Sequence, residues 1–296
     1  MLSETLLKLE RFFSSFAGGP APLLLLDYDG TLAPFRVDRS KATPYKGVRE
    51  AIGRIQAESA TRIAVITGRP AREIYPLLRG TPTVVEQPVE VWGLHGSERL
   101  HPDGRHEVEQ PEPETQRALN QLREYLRHNN LGGEFEDKPN AAVMHWRGAS
   151  PRTARFIEQR TRELFEPLAA RPGLNLLEFE SGLELRAGRH KGDAVRALAA
   201  EMPEGTPVAY LGDDYTDEEA FRAVNELAWP HVSMLVKPMK RETEAEVWLR
   251  PPSELRAFLK LWLKFVPKVS DAENAVSSES ALREWSEEEE ELEKAS

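Results

Sequence analysis

Cysteine is absent from this 296-residue chain, which removes disulfide scaffolds, thiolate zinc sites and cysteine nucleophiles together. Long apolar runs are missing too: none approaches the roughly 18 residues that a membrane span requires. The start, MLSETLLKLERFFSSF, is interrupted by Lys8, Glu10 and Arg11 and lacks the clean apolar stretch of a signal peptide. The expectation is a soluble, cytoplasmic globular protein that does not associate with membranes. A basic surplus is also lacking. The chain has 39 Lys and Arg against 49 Asp and Glu, a net charge of −10. Residues 271–296 alone hold ten acids and two bases, so the first 270 residues carry 37 bases against 39 acids. A body so close to neutral has no positive footprint for nucleic acid, and the acidity belongs to the tail.

What is present is an alternation of buried-strand and helix patterns. Residues 2–16 place Leu2, Leu6, Leu9 and Phe13 at helical spacing. The run PLLLLD (22–27) fits a strand covered on both faces, as in a parallel sheet between helices. A helix over 44–58, a strand TRIAVIT (61–67), a short helix 71–78 and strands at 83–85 and 91–96 continue the pattern. Near 108 the rhythm changes to helix (112–129), two strands (133–136, 141–146), helix (151–169) and two strands (173–179, 182–186), a repeat of elements without a repeat of residues. The first rhythm then resumes with helix 190–201, strand PVAYLGDD (207–214), helix 216–224, a strand near 232–236 and helix 253–265. The expected architecture is an α/β doubly wound parallel sheet, residues 1–107 and 187–269, with an inserted α+β unit at 108–186. Residues 270–296 read as a disordered or frayed acidic tail.

Two strand candidates end in carboxylates: Asp27-Tyr28-Asp29-Gly30-Thr31, and Gly212-Asp213-Asp214-Tyr215-Thr216-Asp217. In a parallel sheet the carboxyl ends of the strands share one edge, so the two can converge. Aspartates gathered there repel one another unless a cation intervenes, and oxygen ligands without Cys or a His cluster select Mg²⁺. A metal facing an aspartate nucleophile is an arrangement for phosphoryl transfer. Each segment alone has a plainer reading: the first as a turn after a strand, the second as an N-capped helix whose acids complement the dipole. Thr67-Gly68-Arg69, after the second strand, offers a hydroxyl and helix-start amides to phosphate oxygens, or is a simple strand-to-helix turn. Lys191 offers a positive charge, or is a surface lysine at a helix start.

DYDGTL, ITGR, HKGDAV and GDDYTDEEAF, in this order, resemble the four motifs of the haloacid dehalogenase superfamily. The last of them, with WGLHGSE (92–98), FEDKPNAAVMHWR (135–147) and GLELRAGRHKG (182–192), is similar to trehalose-6-phosphate phosphatases. The resemblance covers about residues 20–265 and implies the Rossmann-like core of that superfamily with a cap domain at 108–186. It implies that Asp27 is the nucleophile and Asp29 the general acid, then base. It implies Mg²⁺ on Asp27, the Asp29 carbonyl and Asp213, with Asp214 and Asp217 as ligand or support. Thr67, Gly68 and Lys191 would bind the phosphoryl group. His95 would face the cap, and Glu136, Lys138, Arg147 and Glu184 would contact the sugar, although cross-strand charge pairing on a solvated face is the plainer reading of those four. Trp146 stands where tyrosine is frequent in the family and Glu219 where aspartate is; neither removes a group the mechanism needs.

The reaction so implied is hydrolysis of trehalose 6-phosphate, with trehalose-phosphate synthase as an associated partner. Its rivals are the same chemistry on sucrose 6-phosphate or on a glucosyl- or mannosyl-3-phosphoglycerate, a phosphosugar mutase, and a non-catalytic sugar-phosphate sensor.

Overall fold

The computed structural model describes residues 2–36, 39–79, 89–138, 140–179 and 181–268. The strand expected at 83–85 and the acidic tail from 270 lie outside them. In chain order the first elements are α1 (Leu2–Ser14), β1 (Leu23–Leu26), α2 (Val48–Glu58), β2 (Arg62–Ile66), α3 (Ala71–Arg79), β3 (Glu90–Gly93), β4 (Glu98–Leu100) and β5 (His106–Val108). Then come α4 (Pro113–His128), β6 (Glu134–Lys138), β7 (Ala141–His145), α5 (Pro151–Ala169), β8 (Leu174–Phe179) and β9 (Gly182–Ala187). The chain continues with α6 (Lys191–Ala200), β10 (Val208–Gly212), α7 (Glu218–Asn225), β11 (His231–Val236), β12 (Val247–Leu249) and α8 (Ser253–Phe265). Two compact units result. The described residues of one fall in Met1–Glu107, Lys191–Asp213 and Asp217–Ser296, and those of the other in Val108–His190 and Asp214–Thr216.

An eight-stranded sheet of order β12-β11-β10-β1-β2-β3-β4-β5 forms the first architecture. All four leucines of β1 are buried, and they are divided by the pleat. Leu24 and Leu26 join a core with residues of α1, α2, α3 and α8. Leu23 and Leu25 join a second core with residues of α6 and α7. The apolar run is therefore continuous because both faces of the sheet are covered. β1 pairs in parallel with β2 on one side and β10 on the other, which puts their three carboxyl ends side by side.

The four-stranded sheet, β6-β7-β9-β8, is antiparallel throughout. Its side chains divide between two faces. Ala142, Met144, Leu183 and Leu185 pack with Leu119, Leu122 and Leu126 of α4 and with Ile157 and Phe165 of α5. Glu136, Lys138, His145, Glu184 and Arg186 belong to the opposite face.

Residues 91–96 do not form one strand. β3 stops at Gly93 because Leu94 and His95 adopt φ of 49° and 57°, a left-handed region that a pleated strand cannot enter. Three strands were not expected: β4, β5 and β12. Each has three residues, too few for a period-2 signal, and β5 is wholly exposed. Among the described residues no helix is long and apolar enough to cross a membrane.

The first helix is part of the core. Phe13 stacks on Phe265 with ring centroids 5.0 Å apart, and Phe16 meets Trp262 edge-on at 5.0 Å. Trp262 in turn donates from Nε1 to Thr61 Oγ1 at 3.0 Å. Phe13→Ala is expected to cost about 3–5 kcal/mol, seen as a lower denaturant midpoint with an unchanged slope. An unchanged midpoint would show that α1 is an appendage.

Candidate active site

Asp27 follows β1 directly, and its amide extends the ladder to Leu211 O at 2.8 Å. The loop beyond it folds back sharply: Leu32 and Ala33 both donate to Tyr28 O, and Gly30 donates to Ala33 O. Gly30 has φ +87°, and a Cβ there would lie 2.1 Å from Asp213 Oδ2. Only glycine permits both the turn and the approach of the β10 aspartate to the β1 loop.

Asp27, Asp213 and Asp217 each offer a carboxylate oxygen, and these atoms lie within 4.8 Å of one another. Lys191, the first residue of α6, bridges two of the three. Its Nζ donates to Asp27 Oδ1 at 2.6 Å and to Asp217 Oδ1 at 2.7 Å, with all three side chains buried. Thr31 Oγ1 donates to Asp27 Oδ2 at 3.1 Å. Asp217 is also held by the Tyr210 hydroxyl at 2.5 Å and the Asp213 amide at 3.1 Å. Its two oxygens therefore already serve a lysine, a tyrosine and a backbone N–H, which suits Asp217 to orientation. Asp214 is not part of the three-aspartate group.

Burial pushes the Asp27 carboxyl up to about 7, with Lys191 pulling the other way and Asp217 and Asp29 adding to the rise. Burial also works against the charge of Lys191, but Asp217 and Asp27 outweigh it and raise the ammonium above its ordinary range. Tyr210 is driven well above its usual value, first by burial and then by Asp217, so its hydroxyl keeps the proton it donates. The lysine charge is secure yet shared between two carboxylates, and Asp27 is left under-compensated. Asp27, still raised with Lys191 in place and with Asp213 and Asp217 close by, is a setting that a cation would relieve. An all-oxygen donor set without thiolate or imidazole fits a hard divalent ion.

Thr67 ends β2 in a buried position, and its Oγ1 accepts from the Arg69 amide at 3.2 Å. His95 donates its amide to Thr67 O at 2.8 Å. Its ring lies so close to Gly68 that a Cβ there would sit 2.6 Å from Nε2. His95 thus packs on the turn expected to bind phosphate. Arg69 was not singled out from the sequence, yet it grips Asp29: Nε donates to Oδ2 at 2.6 Å and Nη2 donates to Oδ1. Its guanidinium also lies over the Tyr28 ring, 5.6 Å from the centroid.

On the second sheet, Lys138 Nζ donates to Glu184 Oε2 at 2.9 Å and lies 4.0 Å from Glu136 Oε2. His145 Nε2 is 3.0 Å from the same Glu136 oxygen. Arg186 Nη1 is 3.7 Å from Glu184 Oε1. Three expected sugar-contacting residues, Glu136, Lys138 and Glu184, thus form one row. Arg147 lies beyond the end of β7 in an exposed turn, and none of these contacts reaches it. His145 and Arg186 extend the row and were not singled out, although both stand inside quoted motifs.

The raised Asp27 value has a stability consequence. Between 3.8 and about 7 the folded state binds a proton that the unfolded state has lost, so stability falls as pH rises through that window. In EDTA, Asp27→Asn should abolish this decline, melting above the wild type at pH 8 and near it at pH 4. Parallel melting curves at both pH values would contradict the assignment.

Known proteins bear on this geometry in two ways. Residues 25–251 match the trehalose-phosphatase family. A bifunctional trehalose-6-phosphate synthase/phosphatase of Thermoproteus tenax is 31% identical over 229 residues, 75% of this chain and 30% of that one. A trehalose-phosphate phosphatase of Mycobacterium marinum is 30% identical over 217 residues, 69% of this chain and 52% of that one. The chain therefore spans under a third of the first relative and about half of the second. Among solved structures, trehalose-6-phosphate phosphatase from Aspergillus fumigatus gives a TM-score of 0.66 at 24% identity, covering 86% of this chain and 96% of that one. A haloacid dehalogenase-like hydrolase from B. subtilis gives 0.56 at 15% identity, covering 81% and 99%. The fold is that of the haloacid dehalogenase superfamily, and the family match runs from within β1 past Asp213 and Asp217; the chain belongs to the trehalose-phosphatase family.

Proposed function

We propose that the chain is a Mg²⁺-dependent phosphatase that hydrolyses trehalose 6-phosphate to trehalose and inorganic phosphate. The observation that carries this reading is the buried Asp27–Lys191–Asp217 group beside Asp213, at the carboxyl edge of a parallel sheet, in a chain of this family. Asp27, Asp213 and the Asp29 carbonyl would hold the ion, with Asp217 orienting Lys191 and the Asp213 backbone. Bound there, the ion neutralises charge between carboxylate and phosphate so that the two anions approach.

In the first step an Asp27 oxygen attacks phosphorus, the bond to the sugar oxygen breaks, and that oxygen takes a proton from Asp29. In the second, Asp29 takes a proton from water, the water oxygen attacks the phosphoryl group, and the bond to Asp27 breaks. Lys191 and Thr67, with the Gly68 amide, hold the phosphoryl oxygens. Arg69 bears on the first step. A carboxyl whose two oxygens both accept from one guanidinium must turn away from it to donate a proton.

Residues 108–186 serve in this reading as the cap, and Glu136, Lys138 and Glu184 as its sugar-reading group: carboxylates accept from hydroxyls and the lysine donates back. The Thermoproteus relative's name joins synthase to phosphatase, which supports a trehalose-phosphate synthase as the partner that supplies the substrate.

Phosphate release with Mg²⁺ and with EDTA, across trehalose 6-phosphate, sucrose 6-phosphate, glucosyl-3-phosphoglycerate, glucose 6-phosphate and p-nitrophenyl phosphate, tests the reading. Mg²⁺-dependent preference for the first is expected, with Asp27→Asn inactive and Asp29→Ala slower by about 10²-fold or more. Preference for another member would move the error to the cap. Silence on all five would leave the sensor or mutase reading.

A further inference from the structure

The row on the face of the second sheet turned away from α4 and α5 ends in a histidine whose surroundings are built around it. His145 on β7 stands opposite Gly182 on β9, and Gly182 stands opposite Phe179 on β8. The rings of His145 and Phe179 are thus two strands apart, and any side chain between them would keep them separate. A Cβ at Gly182 would fall 2.2 Å from Phe179 Cε2 and Cζ. With glycine there, the phenyl ring leans across the middle strand and reaches the imidazole, centroids 5.3 Å apart and planes at 59°. The contact leaves the far edge of the imidazole for Glu136, which His145 reaches diagonally across the β6–β7 pair at 3.0 Å. An ionised carboxylate only accepts, so Nε2 carries the hydrogen and donates it.

We propose that His145 is a positioning residue for sugar recognition: braced by Phe179 across the gap at Gly182, it fixes the Glu136 carboxylate as an acceptor for sugar hydroxyls. The inference rests on the reading that this unit recognises a sugar phosphate. A glutamate side chain has three rotatable bonds, and a ligand that must arrest them loses affinity for doing so. His145 makes that arrest part of the fold. Lys138, 4.0 Å from the same oxygen and bonded to Glu184, is then left to orient the second carboxylate.

Two substitutions separate this role from simple packing. His145→Phe keeps a ring against Phe179 and loses the donor; His145→Gln loses the ring and keeps an N–H donor. KM and kcat would be measured on the sugar phosphate that the wild type prefers, and on p-nitrophenyl phosphate, which has no sugar to read. We expect His145→Phe to raise KM for the sugar phosphate about tenfold, the usual effect of losing a hydrogen bond to a charged group, with kcat and the p-nitrophenyl reaction within twofold of wild type. His145→Gln, which keeps the donor without the brace, should raise the same KM by a smaller factor, about threefold, and leave the p-nitrophenyl reaction within twofold of wild type. Should His145→Phe not fold, Phe179→Leu withdraws the brace and is expected to raise the same KM with the p-nitrophenyl reaction unchanged. The reverse ranking, with Phe silent and Gln impaired on both substrates, would overturn the inference and make His145 a packing residue. Equal behaviour of the two variants in an enzyme that prefers a sugar phosphate would also overturn it, leaving the functional reading intact. A wild type with no preference for any sugar phosphate over p-nitrophenyl phosphate would remove both.

Discussion

Charge compensation around Asp27 is the constraint on which the rest of the first unit depends. Parallel pairing of β1 with β10 brings Asp27 and Asp213 to one edge, and the turn after β10 returns Asp217 to the same place. Three carboxylates that close, two of them buried, repel strongly. The neighbourhood answers that repulsion. Lys191 opens α6 pointing into the cluster, Tyr210 lies on β10 with its hydroxyl on Asp217, and Thr31 reaches back to Asp27. Gly30 leaves Asp213 the room a methyl group would take. The answer is incomplete at Asp27, whose carboxyl is still pushed up to about 7. In the proposed function, that shortfall is where a divalent ion and an incoming phosphate would enter.

The share of this that was readable in the sequence follows from how each residue is used. Buried strands announce themselves, and polar residues at their ends are conspicuous, so Asp27, Thr67 and Asp213 stood out, and Lys191 stood out in their company. Residues that support them look like something else. Tyr210 is the third residue of an apolar strand and reads as core. Arg69 sits in a quoted motif, but its partner Asp29 is forty positions away, and no local pattern signals such a pair. Asp214 and Asp217 are equally acidic on paper; only the turn over 215–217 divides them, by bringing one back to Lys191 and Tyr210. The missed strands β4, β5 and β12 are three-residue pieces at or next to the sheet edges, formed by pairing to a neighbour, a tertiary cause without a period of its own.

The second unit raises the older question of whether a row of charges is a site or a solvated face. Strand alternation alone places Glu136, Lys138 and Glu184 together, and cross-strand pairing would account for their contacts. It does not account for the burial of Glu184 and its neighbour Arg186. Glu184 is 6% exposed and Arg186 2%, whereas pairing on a surface leaves both partners wet and contributes little.

Buried ion pairs are seldom the most stable use of a position, because desolvation offsets most of the attraction and an apolar pair of similar volume serves as well or better. Both units nevertheless keep charged groups out of water: Asp27, Lys191 and Asp217 in one, Glu184 and Arg186 in the other. The apolar cores beside them are closed and continuous, so the fold had hydrophobic alternatives at these positions. Stability therefore does not explain the choice. Under the proposed function ligand chemistry does, and differently in each unit. A phosphoryl group needs fixed positive charge and a nucleophile held in place before it arrives, whereas a sugar needs acceptors and donors at fixed spacing. The first unit supplies an ammonium locked between two carboxylates, and the second an alternating row from His145 through Glu136, Lys138 and Glu184 to Arg186.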